Sequence, residues 1–361
     1  MYPALAVLQA LNDLNPTWQE EGSLLWMGGE KGMEGEIISR QNISYQDIPA
    51  AGLHGVGLKN LPGNLAKLFR GYLKARRIIL EFKPDVLFFT GGYLAVPAAY
   101  AGRSVPSLVF IPDIEPGLAI KAISNLADWI AVSVEETRKF TPPGKSVLVS
   151  GYPVRKKILD WTREKAQDAL GLDPQLPVLL VFGGSKGARS INQALVHILP
   201  DLLEEMQVVH ITGELDWEIM KANQDQLSDT ARKNYRAYPF LHEKMGAALR
   251  SADLVVSRSG ASILGEYPMF TLPSILVPYP HAWRYQKTNA SYLVDKGAAV
   301  LIRDEDLSRK LLSQIRSLLG NTEKLEAMRV ALRKLAQKNA SSLIANQLLS
   351  MAGQRSGGDK I

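Results

Sequence analysis

The feature that most constrains this chain is a repeated alternation. Short, continuously apolar runs recur along its length, separated by stretches with helical spacing. SLLWMGG, PDVLFFTGG, SLVFI, DWIAVS and SVLVSG form the series in the first half, and PVLLVFGG, QVVHITG, ADLVVS, PSILVP and GAAVLI in the second. Runs that are apolar on both faces suit strands covered on both sides, and helices between them make the crossovers of a parallel sheet. The expected class is α/β, with two doubly wound, Rossmann-like domains facing a cleft. FFTGGYLAVPAA and LVFGGSKGARSINQAL, each an apolar strand running into Gly-Gly and then a helix, echo one another and support two related halves. The length of 361 residues agrees, since one hydrophobic core seldom grows past ~250–300 residues. Gly151 and Pro153 interrupt the pattern in SVLVSGYPVRKK. They mark the boundary between a domain at 1–150 and one at 151–338; a C-terminal helix with a polar tail is expected at 339–361, the helix packing back on the first domain.

The chain opens on MYPALAVLQALNDLNP. Pro3 suits the first turn of a helix, and Leu5, Val7, Leu8 and Leu11 supply its apolar stripe. An α/β domain ordinarily places a strand and a loop ahead of such a helix.

Charge and composition narrow the partners. A net charge of +6, with an isoelectric point near 9.2, favours anionic ligands or surfaces. The basic residues are scattered, without the aromatic interleaving of a nucleic-acid module, so no nucleic acid is expected. No apolar run reaches the ~18 residues of a membrane-spanning helix, and no signal peptide is visible. Without cysteine there is no disulfide or thiolate chemistry, and a reducing, cytoplasmic setting is the default. LKNLPGNLAKLFRGYLKARRIIL (58–80) mixes Leu61, Leu65, Leu68, Phe69, Tyr72 and Leu73 with Lys59, Lys67, Arg70, Lys74, Arg76 and Arg77. That pattern fits a basic amphipathic helix lying on an anionic bilayer, and equally a core-facing helix with a solvated outer face.

Three strand-to-helix junctions carry the ligand-binding signal. In LVFGGSKGARSINQ the turn Gly183-Gly184-Ser185-Lys186-Gly187 lets a ligand approach the backbone, and the helix start offers free N–H groups to a phosphate. It is neither a Walker A sequence nor GxGxxG, and a turn with no ligand would look the same. In LVVSRSGASILGE the small residues Ser259, Gly260, Ala261 and Ser262 allow close approach, and Glu266 on the following helix can accept two ribose hydroxyls. VPYPHAWRYQKTNA gathers His281, Arg284, Gln286 and Asn289, side chains that can donate or accept around a sugar. Arg155, just past the domain boundary, suits a bidentate phosphate contact or a solvated surface.

Taken in order, these segments resemble the MurG family of peptidoglycan glycosyltransferases, within glycosyltransferase family 28. The matching stretches are YPALAV (2–7), GGEKGMEGEII (28–38), GLHGVG (52–57), KPDVLFFTGGYLAVPAA (83–99), GYPVR, GGSKGARSINQ, SRSGASILGE and PHAWRYQKTNA followed by KGAAVLI. Each motif is weak alone; the ordered set is specific. The resemblance implies a GT-B fold in which 1–150 binds a lipid diphosphate acceptor and 151–338 binds UDP-N-acetylglucosamine. It implies transfer of N-acetylglucosamine to MurNAc-peptide-diphospho-undecaprenol (lipid I), with inversion and without metal or cofactor. The expected setting is the cytoplasmic face of the cell membrane, held peripherally through 58–80. Carried over by position, Arg155 and Ser185 contact the donor phosphates beside Gly184, and Ser259 and Gly260 line the donor site. Glu266 meets the ribose, the backbone around Leu241 the uracil, and Gln286 the sugar. Gly91, Gly92 and Tyr93 match the loop associated with the acceptor diphosphate.

Three departures stand out. The family carries GGTGGH directly ahead of a helix beginning like YPALAV, and here Met1 follows at once. The expectation is a truncated gene model, with the first strand, the first phosphate loop and the family's histidine base missing. The family's HEQN stretch is replaced by IPDIEPGLA (111–119), which leaves Asp113 and Glu115 as candidate general bases. Its paired glutamines appear as Tyr285-Gln286. Competing readings are a lipid glycosyltransferase with another acceptor, a UDP-N-acetylglucosamine epimerase of shared fold, and a catalytically impaired UDP-sugar-binding homologue.

Overall fold

The computed structural model describes residues 1–15, 23–30, 35, 38, 43–50, 61–184, 187–280 and 283–358, with the side chains of 61, 283, 284 and 354–358 excepted. In chain order the first elements are α1 (Tyr2–Leu14), β1 (Leu25–Gly29), β2 (Ser44–Ile48), α2 (Leu61–Phe82), β3 (Leu87–Phe89), α3 (Ala95–Ala101), β4 (Ser107–Ile111), α4 (Leu118–Leu126), β5 (Trp129–Val132) and β6 (Ser146–Val149). Then come α5 (Lys156–Leu159), α6 (Arg163–Leu170), β7 (Val178–Phe182), α7 (Arg189–Leu203), β8 (Gln207–Ile211), α8 (Trp217–Asp225), α9 (Asp229–Lys233) and β9 (Tyr235–Tyr238). The chain continues through α10 (Met245–Ser251), β10 (Leu254–Ser257), α11 (Ile263–Phe270), β11 (Ser274–Leu276), α12 (Trp283–Asp295) and β12 (Ala299–Leu301), and ends in α13 (Leu307–Leu319), α14 (Thr322–Leu335) and α15 (Ala340–Gly358). Two compact units result, Met1–Pro153 with Asn339–Ile361, and Val154–Lys338.

The second unit is built on one six-stranded sheet, every pairing parallel, in the order β12-β11-β10-β7-β8-β9. Counted from its own first strand, this is the 3-2-1-4-5-6 order of a dinucleotide-binding fold. Its central strands are apolar throughout: Leu179, Leu180, Leu254, Val255 and Val256 are fully buried. Each such side chain is worth about 1.5–3 kcal/mol of burial, which favours the interior parallel register over any alternative. β7 and β10 pair from Leu254 opposite Leu179 to Ser257 opposite Phe182, so their carboxyl ends finish level. α7, α13 and the flanking strands close one side of the core.

In the first unit, β3, β4, β5 and β6 form a four-stranded parallel sheet, and β1 and β2 a separate parallel pair. Leu108, Val109, Phe110 and Ile111 of β4 are fully buried. α1 carries its proline in the first turn and packs against α15. Its buried face is Pro3, Ala4, Ala6, Val7, Ala10 and Leu11. Leu5 and Leu8, two of the predicted stripe, are only half-buried at its margin, because small alanines occupy the inner positions. β2 and β9 lie outside the predicted strands; both are sheet edges with mixed burial.

Candidate functional site

At the carboxyl end of the second sheet, the loops after β7 and β10 sit where the winding direction reverses. There successive crossovers leave on opposite faces and open a crevice beyond the strand ends. The first loop is shaped by glycine. Gly184 has φ +92° and is exposed; Gly187 has φ +75°. A β-carbon on Gly183 would stand 2.3 Å from the Ala188 nitrogen, and one on Gly187 2.5 Å from the Thr212 carbonyl oxygen. The turn therefore enters α7 along a path that a side chain would block. Ala188, at the helix cap, makes no side-chain capping bond. The first-turn N–H groups of this 15-residue helix thus receive no acceptor from the cap, and the positive end of its dipole suits an anion. Ser185, the predicted phosphate donor, lies outside the described residues.

The second loop is held from behind by Arg258, which the sequence reading did not single out. Its guanidinium pairs with Asp304 at 2.5 Å, donates to Ser190 Oγ at 2.8 Å and to the Val277 carbonyl at 3.2 Å, and lies 5.3 Å from the Tyr279 ring centre. One buried cation thereby joins the ends of β10 and β11 to the first turn of α7. Its only sequence signal is an arginine placed directly after an apolar strand, between two serines.

Of the predicted donor residues, Ser259 is fully buried, and its hydroxyl donates to the Gln286 carbonyl at 2.8 Å. The Asn289 Nδ2 donates a hydrogen bond to the Ser259 carbonyl at 3.2 Å, so Ser259 fastens the loop to α12. Gly260 has open space where a β-carbon would stand. The Gln286 side chain accepts the Tyr279 N–H at 2.9 Å through Oε1, which fixes the orientation of its amide. His281 and the side chain of Arg284 lie outside the described residues.

Glu266, on α11, is half-buried. Burial pushes its carboxyl above the usual range, opposed by the Ser262 hydroxyl and the positive charge of Arg155. Arg155 and Glu266, remote in sequence, are thus brought into electrostatic contact. Arg155 itself precedes the short helix α5. Leu241 follows β9 with its side chain buried; the flanking Phe240 and His242 rings lie 4.4 Å apart.

The first unit holds the predicted acceptor residues. Gly91 and Gly92, after β3, have φ +105° and +89°, and a β-carbon on Gly91 would press on Ile120 of α4 at 3.0 Å. Tyr93 lines a cavity of about 390 Å³ with Glu30, Ile48, Pro49, Lys67 and Leu94 among its neighbours. Asp113 and Glu115 lie between β4 and α4; Asp113 is half-buried, while Glu115 is buried with Lys121 at 3.8 Å. Along α2, Leu65, Phe69, Leu73 and Leu80 are exposed at about half or more of their surface, and Ala75, Ile78 and Ile79 are buried on the opposite side. Leu68 and Tyr72 are half-buried, and 58–60 lie outside the described residues. Among the described residues no helix is long and apolar enough to cross a membrane.

The family models agree with this architecture. The glycosyltransferase family 28 C-terminal domain matches residues 178–348, and the N-terminal domain of the same family matches residues 1–132. The chain belongs to glycosyltransferase family 28. It is 35% identical to the UDP-N-acetylglucosamine--N-acetylmuramyl-(pentapeptide) pyrophosphoryl-undecaprenol N-acetylglucosamine transferase of Roseiflexus sp. (strain RS-1), over 98% of this chain and 93% of that one. Among solved structures, Acinetobacter baumannii MurG is similar with a TM-score of 0.72 at 25% identity, covering 97% of this chain and 95% of that one. The UDP-GlcNAc 2-epimerase of Neisseria meningitidis, solved with UDP-GlcNAc bound, reaches a TM-score of 0.67 at 15% identity, over 96% of this chain and 97% of its own, and shares the fold.

Proposed function

We propose that this chain transfers N-acetylglucosamine from UDP-N-acetylglucosamine to N-acetylmuramyl-(pentapeptide) pyrophosphoryl-undecaprenol, a step of peptidoglycan synthesis, at the cytoplasmic face of the membrane. The observation that carries the reading is the pair of loops at the switch point of the second sheet, in a chain of this family: a glycine turn opening on a helix whose cap residue, Ala188, offers no side-chain acceptor, and Glu266 beside Arg155. An acceptor hydroxyl attacks the anomeric carbon from the face opposite UDP, the bond to the β-phosphate oxygen breaks, and the configuration inverts. Negative charge then collects on the leaving UDP. The first turn of α7 and the Arg155 guanidinium supply the stabilisation, so no metal ion is called for. Glu266 holds the ribose, the backbone around Leu241 the uracil, and the Gln286 amide the sugar.

On the acceptor side, Lys67 in the cavity beside Tyr93 offers an anionic diphosphate its cationic contact, with the Glu30 carboxylate elsewhere on the lining. Asp113 is the more accessible candidate for the base that takes the acceptor proton, since Glu115 is buried against Lys121. The exposed Leu65–Phe69–Leu73 stripe, bordered by the exposed Lys67, Arg70, Arg76 and Arg77, supports peripheral binding to an anionic bilayer.

The deciding assay supplies labelled UDP-N-acetylglucosamine and the lipid acceptor to the full chain in anionic vesicles. The expected product is the β-linked disaccharide on undecaprenyl diphosphate, with UDP released. Transfer only to a different lipid, epimerisation of the donor, or binding of UDP without transfer would each replace this reading with one of the alternatives.

A further inference from the structure

His210, in β8, is fully buried, and both of its ring nitrogens are engaged. Nδ1 lies 2.7 Å from the Tyr235 hydroxyl, and Nε2 lies 3.0 Å from Oδ1 of Asn192 in the first turn of α7. The Asn192 amide nitrogen donates to the Thr212 carbonyl and to Asp216 Oδ2, each at 2.9 Å. With its nitrogen committed to two acceptors, the amide must turn its oxygen to the ring. Nε2 of His210 therefore carries the proton, and Nδ1 accepts from Tyr235. The direction of every bond is fixed, from the Tyr235 hydroxyl to the Asp216 carboxylate. Beyond it, Arg189 donates to the other Asp216 oxygen at 3.0 Å. The Thr212 carbonyl, which branches from this chain at Asn192, is the atom that a β-carbon on Gly187 would meet.

An aliphatic side chain would fill the same interior space in a parallel sheet. A buried imidazole with two directed bonds costs desolvation and specifies orientation instead. What it orients is the beginning of α7 and, through Thr212, the glycine turn ahead of it.

We propose that His210 is a positioning residue for the diphosphate subsite: held in one tautomer between Tyr235 and Asn192, it fixes the first turn of α7 and Gly187 in the attitude that receives the two phosphates of the donor. The proposal rests on the reading that the crevice binds UDP.

The test measures UDP by titration calorimetry and uridine by ligand-observed NMR on the full chain. His210→Leu is expected to weaken UDP about tenfold while uridine, which has no phosphate, changes less than about twofold, as expected when charge-assisted contacts are misaligned. His210→Gln, whose amide can still donate to Asn192, is expected within about threefold of the original UDP affinity. Unchanged UDP binding by a folded His210→Leu variant, or equal losses for UDP and uridine, overturns the positioning role and leaves the nucleotide reading intact. If the unsubstituted chain ignores UDP, the nucleotide reading itself falls. Should His210→Leu fail to fold, Tyr235→Phe decides: a loss of about threefold for UDP alone supports the proposal, and no change overturns it.

Discussion

Gly187 stands so close to Thr212 that a β-carbon on it would come within 2.5 Å of the Thr212 carbonyl oxygen, in a backbone whose φ is already +75°. Gly184 shares the positive φ, at +92°, yet has open space around it. The two glycines therefore answer to different constraints. Gly184→Ala is expected to cost about 1–2 kcal/mol of backbone strain. Gly187→Ala adds a clash with main chain that has no flexible end to move, and is expected to cost about 3 kcal/mol or more and to abolish measurable UDP binding. Urea unfolding and calorimetry on the two variants check the order.

Arg258 and Asp304 make a second prediction. The arginine side chain is 9% exposed and serves three loops at once. Arg258→Ala leaves Asp304 facing a vacated, largely buried space and is expected to destabilise the second unit by about 3 kcal/mol. Arg258→Lys recovers only part of this, since an ammonium lacks the guanidinium fork that reaches Ser190 and Asp304 together. Thermal and urea midpoints of the two variants measure the difference.

Stability should depend on pH through His210. Burial lowers its pKa to about 3, against an ordinary value near 6.5. Between those limits the unfolded chain binds a proton that the folded chain refuses, so stability rises with pH across that window and is complete above it. The expected slope is about 1.4 kcal/mol per pH unit, or about 2 kcal/mol lost between pH 6.5 and 5. His210→Gln removes this contribution; parallel denaturation curves for the two proteins from pH 7.5 to 5 would refute it.

Nucleotide affinity should depend on Glu266. Burial holds its carboxyl above the usual range, and the proposed contact with two ribose hydroxyls needs the ionised form. As pH falls through that raised value, the unsubstituted chain should lose UDP affinity faster than Glu266→Gln. The titration of UDP itself is common to both proteins, so the difference between their affinity profiles isolates the carboxyl. At neutral pH the Glu266→Gln variant should bind about tenfold more weakly.

Replacing Leu65, Phe69 and Leu73 together with serine removes the exposed stripe of α2 without touching its buried side. Sedimentation with anionic vesicles at low salt is expected to fall about tenfold or more. High salt should weaken the original protein in the same assay. Retention of full vesicle binding by the triple variant would remove α2 from the membrane contact.

Much of the architecture was legible because its central strands are apolar on both faces. VLLVF at β7 and SLVFI at β4 announce buried parallel strands without any help from their neighbours. SYQDI at β2 and YRAY at β9 do not, since each lies at a sheet edge with half-exposed, mixed side chains. Of the candidate site, Gly184, Glu266 and Arg155 were readable from local chemistry and from the order of the motifs. Arg258, His210 and Asn192 were not. Their roles depend on partners distant in sequence, such as Asp304 for Arg258 and Tyr235 for His210, and spacing carries no signal for such pairs. Ser259 shows the reverse case: a small residue in a promising loop, whose hydroxyl the fold has already engaged.

α15 returns to pack on α1, so one compact unit is assembled from both flanks of the polypeptide while the other is a single uninterrupted stretch. The stretch from Val154 to Lys338 is accordingly expected to fold when produced as one piece, with a cooperative urea transition as the check. A fragment that stops at Lys338 would instead leave Val7, Ala10 and Leu11 of α1 without their covering helix and invite aggregation. The middle unit is continuous in the chain, whereas the other is closed only when its two arms meet.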